Sequence, residues 1–566
     1  MKCPFMRQRK MRLGSVGLPT LGGIAGYAAS FTASLLPRPW HFQGLVSGIG
    51  ALGGFQMGKW TSYILNSLDK RAGIGTRVSP KVKMVAGVAG GVTAAVGLIG
   101  VPVLSIRWQR KAAKKAKVSG PGLSWAFGSA GAAAAAFGIL YVQWRATMAA
   151  IDFISKYLPQ RHAWRMLSRL IATAVTLSTI MVIMERVIMR AVLSVAKTAS
   201  AAVDLRTPEA LIQPQTPLRS GSPYSLEPWD ELGLQGKRFV CASTTAEKIE
   251  AAMGGPAKEP IRAYASLNGR TLEQAVDAVL AEVDRMNGWS RSNLLLITTT
   301  GRGNVNEWAA SAFEYLTSGD CTLIAMQYSG LPSAVTTLTS KSSPVEASKL
   351  LFEAVKQRVA NLGHAPKIYL NGESLGAFGS CGIFEDYEDL LARADGGLWL
   401  GCPDFTPLAK SFIESRDAGS DVIVPVYDGG KHVRFAANSS DLEMAQEWLE
   451  PRFCFLQNDT DPVVYCSPDL LWKRPSWLAN PRPGSAMADM TWIPFVTFWQ
   501  VAADMTSCRS VGPGFGHKYY AYQVVPAWVG ILGLDRHADY TELYKVLNQD
   551  VPIVSGDSRF ASPIDL

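Results

Sequence analysis

Acidic residues are almost missing from the first 199 positions, where Asp69, Asp152 and Glu185 stand against 26 Lys and Arg. The rest of the chain holds 43 Asp and Glu against 30 Lys and Arg. The two parts therefore carry +23 and −13, and together give the formal +10 of the 566 residues. A uniformly basic surface for nucleic acid is excluded, because the positive charge sits in the more apolar part. Histidine is scarce at six residues and cysteine at eight, and no Cys/His spacing suits zinc. No G-x-x-x-x-G-K-[ST] occurs, which excludes a phosphate-binding loop of that type. No internal repeat is present, and no cofactor or metal is expected.

What the first part does contain is long apolar runs. Five stretches, about 13–36, 42–66, 84–106, 123–144 and 167–189, approach the roughly 20 residues that a membrane-crossing helix needs. Lys59 and Glu185 interrupt the second and fifth. Gly50-Ala-Leu-Gly-Gly54 and Gly87-Val-Ala-Gly-Gly91 place small residues four apart, as closely packed membrane helices do. The reading is an α-helical transmembrane domain over 1–199 with about five spans, able to associate through its helices. The basic head Met1–Arg12 reads as the start of a retained first helix, since no A-x-A cleavage site follows it. Lys and Arg concentrate in 1–12, 67–83 and 145–166, which places these segments and the amino terminus in the cytoplasm. Five spans then put the remainder outside, in a multi-pass protein of the plasma membrane. The run Arg107, Arg110, Lys111, Lys114, Lys115 and Lys117 falls on the wrong side of that scheme.

Residues 200–230 are polar and rich in proline, which predicts a semi-extended linker. From 231 to 566 short apolar runs alternate with amphipathic stretches, the pattern of a mainly parallel sheet with helices on both faces. Strands are expected at Leu294–Ile297, Cys321–Met326, Lys367–Leu370, Leu398–Leu400, Val422–Val426 and Phe453–Leu456, and helices at Glu307–Tyr315 and Val345–Leu362.

Gly372-x-Ser374-x-Gly376 follows the Lys367–Leu370 strand and precedes small residues suited to a helix start. A serine on such a strained turn presents Oγ as a nucleophile, and its base and orienting acid follow in the order Ser, acid, His. The histidines after Ser374 are His432, His517 and His537. His517 lies in Gly512-Pro-Gly-Phe-Gly-His517, a Gly-rich loop that can present an imidazole, whereas the other two read as surface residues. The acid is expected after Phe453–Gln457, at Asp461, with Asp459 as the alternative. An oxyanion hole needs backbone N–H donors, expected from Leu375 and from Gly301 and Arg302 in the turn after Leu294–Ile297. Cys381 and Cys402 are the first candidates for a disulfide, with free thiols the equal alternative.

Several motifs occur together. They are Ser34-Leu-Leu-Pro-Arg-Pro-Trp40, Gln43-Gly-Leu-Val-Ser-Gly48, Met326-Gln-Tyr-Ser-Gly-Leu-Pro332, Gly372–Gly379, Leu456–Val464 with Ser467–Leu471, and Gly514-Phe-Gly-His517-x-Tyr519. With them the chain resembles an actinobacterial family of membrane-anchored α/β-hydrolases over nearly its whole length. The resemblance implies an α/β-hydrolase-like domain after the helical one, with Ser374, Asp461 and His517 as the triad. Arg302 departs from the small or hydroxyl residue expected there. The resulting expectation is a membrane-anchored serine hydrolase or acyltransferase acting on an ester of a lipid or cell-envelope glycolipid. A non-catalytic scaffold of the same fold in envelope assembly is the alternative.

Overall fold

A computed structural model describes residues 17–72, 80–157, 165–183, 207–209, 211–331, 342–482 and 484–555. The basic head Met1–Arg12, Cys3 and the beginning of the expected linker lie outside these residues. Contacts divide the chain into two units, Met1–Met184 with Ser467–Val511, and Glu185–Cys466 with Gly512–Leu566.

The first unit contains the helices α1 Leu18–Ala29, α2 Trp40–Ala72, α3 Pro80–Lys115, α4 Leu123–Lys156 and α5 Arg165–Ile183. Glycine spacing brings α1 and α2 to backbone contact. A Cβ added to Gly22 would lie 2.2 Å from the Gly54 carbonyl oxygen, and one added to Gly26 would lie 2.0 Å from that of Gly50. Gly44 and Gly48 similarly meet the Ala132 and Ala136 methyls, so α2 and α4 run side by side in the same direction. Small residues four apart permit this approach, and dispersion between backbones replaces side-chain interdigitation. Gly87 and Gly91 lie on α3, in a part whose side-chain surroundings are outside the described residues.

Among the described residues one helix, Leu123–Lys156, is long and apolar enough to cross a membrane. One of the five expected spans thus meets that measure among the described residues, and 13–16 of the first and 184–189 of the fifth lie outside them. The α1 helix has only 12 residues, α2 carries Lys59 within its apolar run, and α5 opens with Arg165 and Arg169.

Ser467–Val511 falls within the stretch read from sequence as one continuous catalytic domain, yet it clusters with the helical unit. Its helix Val496–Asp504 docks on the turn Ser34-Leu-Leu-Pro-Arg-Pro-Trp40. Asp504 accepts hydrogen bonds from Ser34 Oγ and from the Leu36 amide, and its Oδ1 lies 3.3 Å from Arg38 Nε, with both charged side chains wholly buried. Gln500, one turn earlier, donates to the carbonyls of Ser30 and Thr32 at 3.1 and 3.2 Å. Removing one partner of such a buried pair is costly, since the other charge is left without compensation. A pairing 466 residues apart in sequence leaves no local trace.

The second unit is built on seven parallel strands, β1 Ile261–Ala265, β2 Asn293–Thr298, β3 Cys321–Met326, β4 Lys367–Glu373, β5 Gly396–Leu400, β6 Val433–Ala436 and β7 Arg452–Leu456. Their order is β1-β3-β2-β4-β5-β7-β6. Alternate residues of β2 and β3 enter two separate cores. Leu295, Ile297, Leu323 and Ala325 join one, and Leu294, Leu296, Ile324 and Met326 the other. Strands buried on both faces read as unbroken apolar runs, which is why most were recognisable. The helices α6 Leu272–Arg285 and α8 Ser343–Ala360 supply one core, and α7 Glu307–Leu316 and α10 Ala521–Leu532 the other. Between α8 and α10, the helix α9 Leu375–Cys381 follows β4.

Two local expectations fail for physical reasons. Val422–Val426 is not a strand and makes only the isolated bridge Val426–Arg434, because Pro425 lacks the donor a ladder requires. The stretch 211–230 is packed rather than a free spacer. Ser220 N donates to Arg262 O at 3.0 Å, Arg262 N donates to Leu218 O at 3.2 Å, and Ser220 Oγ donates to the buried Glu282.

Candidate active site

The parallel register brings the carboxyl ends of β2, β4, β5 and β7 level. Thr298 stands opposite Gly372, Glu373 opposite Leu400, and Leu400 opposite Leu456. Loops leaving that edge of an open α/β sheet form its ordinary ligand-binding face.

Ser374 occupies the turn from β4 into α9 with φ 59° and ψ −123°. A non-glycine residue held there stores about 1–3 kcal/mol of strain. The flanking glycines make the turn possible. A Cβ on Gly372 would lie 2.5 Å from the Gly376 carbonyl, and one on Gly376 would lie 2.2 Å from the Thr298 oxygen. The Ser374 amide donates to Leu400 O at 2.9 Å, which pins the turn to the neighbouring strand. Leu375 is the first residue of α9, so its N–H has no acceptor within the helix. The β2 turn is closed by Gly303 N to Thr300 O at 2.8 Å and Thr300 N to Asn304 O at 2.9 Å. Gly301 and Arg302 lie inside that turn, while the backbone nearest the elbow glycine belongs to Thr298 and Thr299.

His517 and Asp461 meet. His517 Nδ1 is 2.7 Å from Asp461 Oδ2, with 3% and 0% of the two side chains exposed. Asp461 uses its other oxygen, Oδ1, to accept from the Val463 amide at 2.9 Å. With Nδ1 donating to the carboxylate, Nε2 carries the lone pair that a general base needs. Nε2 is buried and has no hydrogen-bond partner among the described residues. The alternative acid, Asp459, is only partly buried and makes no such contact. His432 Nδ1 lies 3.0 Å from the Pro451 carbonyl, and His537 is exposed.

The pair rests on groups whose roles local reading did not reveal. Tyr519 Oη donates to Asp461 Oδ2 at 2.7 Å and accepts from the Asn458 amide at 3.2 Å. Burial and the adjacent carboxylate push the Tyr519 phenol well above its ordinary pKa, so it remains a donor. Asn458 Nδ2 donates to Gly516 O at 2.8 Å, and Thr460 Oγ1 accepts from Gly516 N at 2.9 Å, so the acid and base loops hold each other. Asn306 caps α7 and donates to Glu373 Oε1 at 3.1 Å, beside the serine, and to Tyr519 O at 3.4 Å. Gly401, at φ 56°, lies directly beneath the imidazole. Cys381 and Cys402 are neighbouring buried thiols, not a disulfide.

Tyr519→Phe removes one of two donors to Asp461 Oδ2 and leaves His517 in place. It is expected to cost about 1–3 kcal/mol of stability and to lower kcat less than replacement of His517 does. Thermal unfolding and ester kinetics on the same preparation check both.

The chain leaves the α/β unit at Cys466, shortly after Asp461, and returns at Gly512, shortly before His517. Both stems of the inserted Ser467–Val511 segment are thus the loops that carry the acid and the imidazole.

Comparison with known proteins agrees with this architecture. Residues 261–543 match a family described as an alpha/beta-hydrolase family, and residues 31–243 match that described as the alpha/beta-hydrolase family N-terminus. The first match runs from β1 past α10 and includes the inserted segment; the second begins just before the turn that holds Asp504. No curated protein and no solved structure matches the chain. With half of its length in the first match alone, the chain belongs to an α/β-hydrolase family.

Proposed function

We propose that the protein is a serine hydrolase or acyltransferase that acts on an ester through Ser374, His517 and Asp461. The observation that carries the reading is the His517–Asp461 pair at 2.7 Å with a buried, unpartnered Nε2. It stands in the same unit as Ser374, which lies in a positive-φ turn that Gly372 and Gly376 make possible. In the proposed reaction His517 Nε2 takes the Ser374 proton as Oγ attacks the ester carbonyl. Asp461, itself held by Tyr519, stabilises the imidazolium that results, and the Leu375 amide with an amide of the Thr298–Gly303 turn receives the oxyanion. Collapse expels the alcohol, which takes the proton from His517, and leaves an acyl-serine. Water or a second hydroxyl then attacks the acyl-serine with His517 again as base, giving hydrolysis or acyl transfer respectively.

The helical unit is proposed to lie in the plasma membrane, with the catalytic unit on its outer side and a lipid or envelope glycolipid ester as substrate. Support comes from the Leu123–Lys156 helix and from outward apolar side chains such as Met57, Leu104, Ile139 and Val142, each more than 65% exposed. A soluble unit would rarely leave so many large apolar residues in water.

A fluorophosphonate probe tests the chemistry. Labelling of the full-length protein, lost in Ser374→Ala, is expected; no labelling of the wild type under any condition would leave a non-catalytic scaffold as the better reading. Resistance to alkaline carbonate extraction tests the membrane, and an active phosphatase fused to the carboxyl terminus tests the side.

A further inference from the structure

Two cavities of the helical unit follow one another along α2 and α4. The first, of about 500 Å³, is walled by Tyr27, Phe55, Leu98, Ala133 and Phe137, among other mostly apolar residues. The Tyr27 hydroxyl is satisfied within the wall, donating to Leu98 O at 2.6 Å. The second, of about 520 Å³, is bounded by Lys59, Trp144, Arg145, Asp152 and Thr173, among others. Lys59 Nζ stands 4.4 Å above the Trp144 ring. Among the described residues its lining carries two cations, Lys59 and Arg145, and one carboxylate, Asp152.

A row of aromatic rings runs along α2 and α4 from one space to the other. Phe55 meets Phe137 and Tyr141 at 6.1 and 5.9 Å, Phe137 stacks on Tyr141, and Tyr141 meets Trp144 at 5.7 Å. Lys59 lies one helical turn beyond Phe55, and Arg145 lies two turns beyond Phe137, on the same helix faces.

Their depth agrees on both helices. Trp40 and Lys59 on α2, and Trp125 and Trp144 on α4, each lie 19 positions apart, about 28 Å of helix rise. Neither 41–58 nor 126–143 contains Asp, Glu, Lys or Arg. That length matches the roughly 30 Å hydrocarbon core of a bilayer, and aromatic and basic residues are favoured at its edges. In the membrane placement proposed above, with α2 beside α4, the first cavity lies at hydrocarbon depth and the second at headgroup depth.

We infer that α2 and α4 hold one anionic membrane lipid, with an acyl chain in the first cavity and the headgroup at Lys59 and Arg145. A soluble anion would account for the second cavity alone, and a neutral lipid would not use its two cations. The inference rests on the membrane placement proposed above.

The test uses full-length protein in vesicles of equal phosphatidylcholine and phosphatidylglycerol, with traces of either lipid carrying a diazirine in its acyl chain. Adducts mapped by mass spectrometry are expected at residues of the first cavity, with phosphatidylglycerol strongly preferred. Lys59→Gln with Arg145→Gln, both at exposed positions, is expected to lower that preference about 30-fold, from about fivefold for each cation near an anionic surface. Gly97→Leu, where an added Cβ would touch only Ile24 Cγ2 at 3.9 Å, is expected to reduce the adducts with the elution profile unchanged. Equal labelling by the two lipids, adducts spread over outward helix faces, or loss of label to free glycerol phosphate each overturns the inference. Release of the protein by carbonate overturns the membrane placement instead, and is read independently.

Discussion

Ser374→Ala and His517→Ala are each expected to reduce turnover of a short soluble ester by about 10⁴-fold or more, and the double variant to lose little beyond either single one. The reason is that in the proposed mechanism the two groups act in one step. Without Oγ there is no nucleophile for Nε2 to activate, and without Nε2 the hydroxyl is a weak nucleophile at neutral pH. Asp461→Asn is expected to be less severe by one to two orders of magnitude, because the amide preserves the shape of the site but no longer fixes the imidazole tautomer. Asp459→Asn is expected to leave the rate nearly unchanged, given the 2.7 Å contact of His517 with Asp461. Purified variants compared by kcat/KM check the series. Additive losses in the double variant would mean the two residues work separately, and loss in Asp459→Asn with activity kept in Asp461→Asn would reassign the acid.

The second large effect is expected at a residue with no chemistry of its own. A Cβ on Gly401 would lie 2.5 Å from His517 Cε1, 2.6 Å from Nδ1 and 2.7 Å from Asp461 Oδ2. The glycine is held by its amide, which donates to Leu456 O at 2.9 Å, so the imidazole and the Asp461 carboxylate are the groups that must give way. A displacement near 1 Å in a catalytic group can cost about 10²-fold in rate. Gly401→Ala is therefore expected to lower kcat by about that factor. KM should change little, since the methyl faces the base and not the bound ester. The positive φ of 56° adds backbone strain to the clash. Gly419→Ala separates the two contributions, because Gly419 has φ 83° and nothing within 4 Å of an added Cβ. It should share the strain and keep the rate. Full activity in Gly401→Ala would show that the His517–Asp461 contact can shift without consequence.

The sequence by itself determined what is carried by short-range pattern. Strands buried on both faces announced themselves as apolar runs, and Leu294–Ile297, Cys321–Met326 and Phe453–Leu456 fall within β2, β3 and β7. The spacing Gly372-x-Ser374-x-Gly376 marked the strained turn, because only glycine tolerates the backbone approaches at 2.2 and 2.5 Å on either side of it. Loop composition was enough to single out His517 and the Asp459–Asp461 pair.

Which carboxylate meets the imidazole was decided by the tertiary structure. The two residues are 56 positions apart, and their meeting depends on how β5 and β7 are registered and how Asn458 and Thr460 clip the base loop. Tyr519 and Gly401 owe their importance to the same meeting, and nothing in their immediate neighbours marks it. The membership of Ser467–Val511 in the helical unit is likewise a long-range fact, written in the buried Arg38–Asp504 pair. Apolar runs could not by themselves give a span count, since hydropathy records that a side chain avoids water and not whether protein or lipid surrounds it. Periodicity and turn chemistry act within a few residues and survive in the sequence. Register, ion pairing and burial act between segments, and they exist only once the chain has folded.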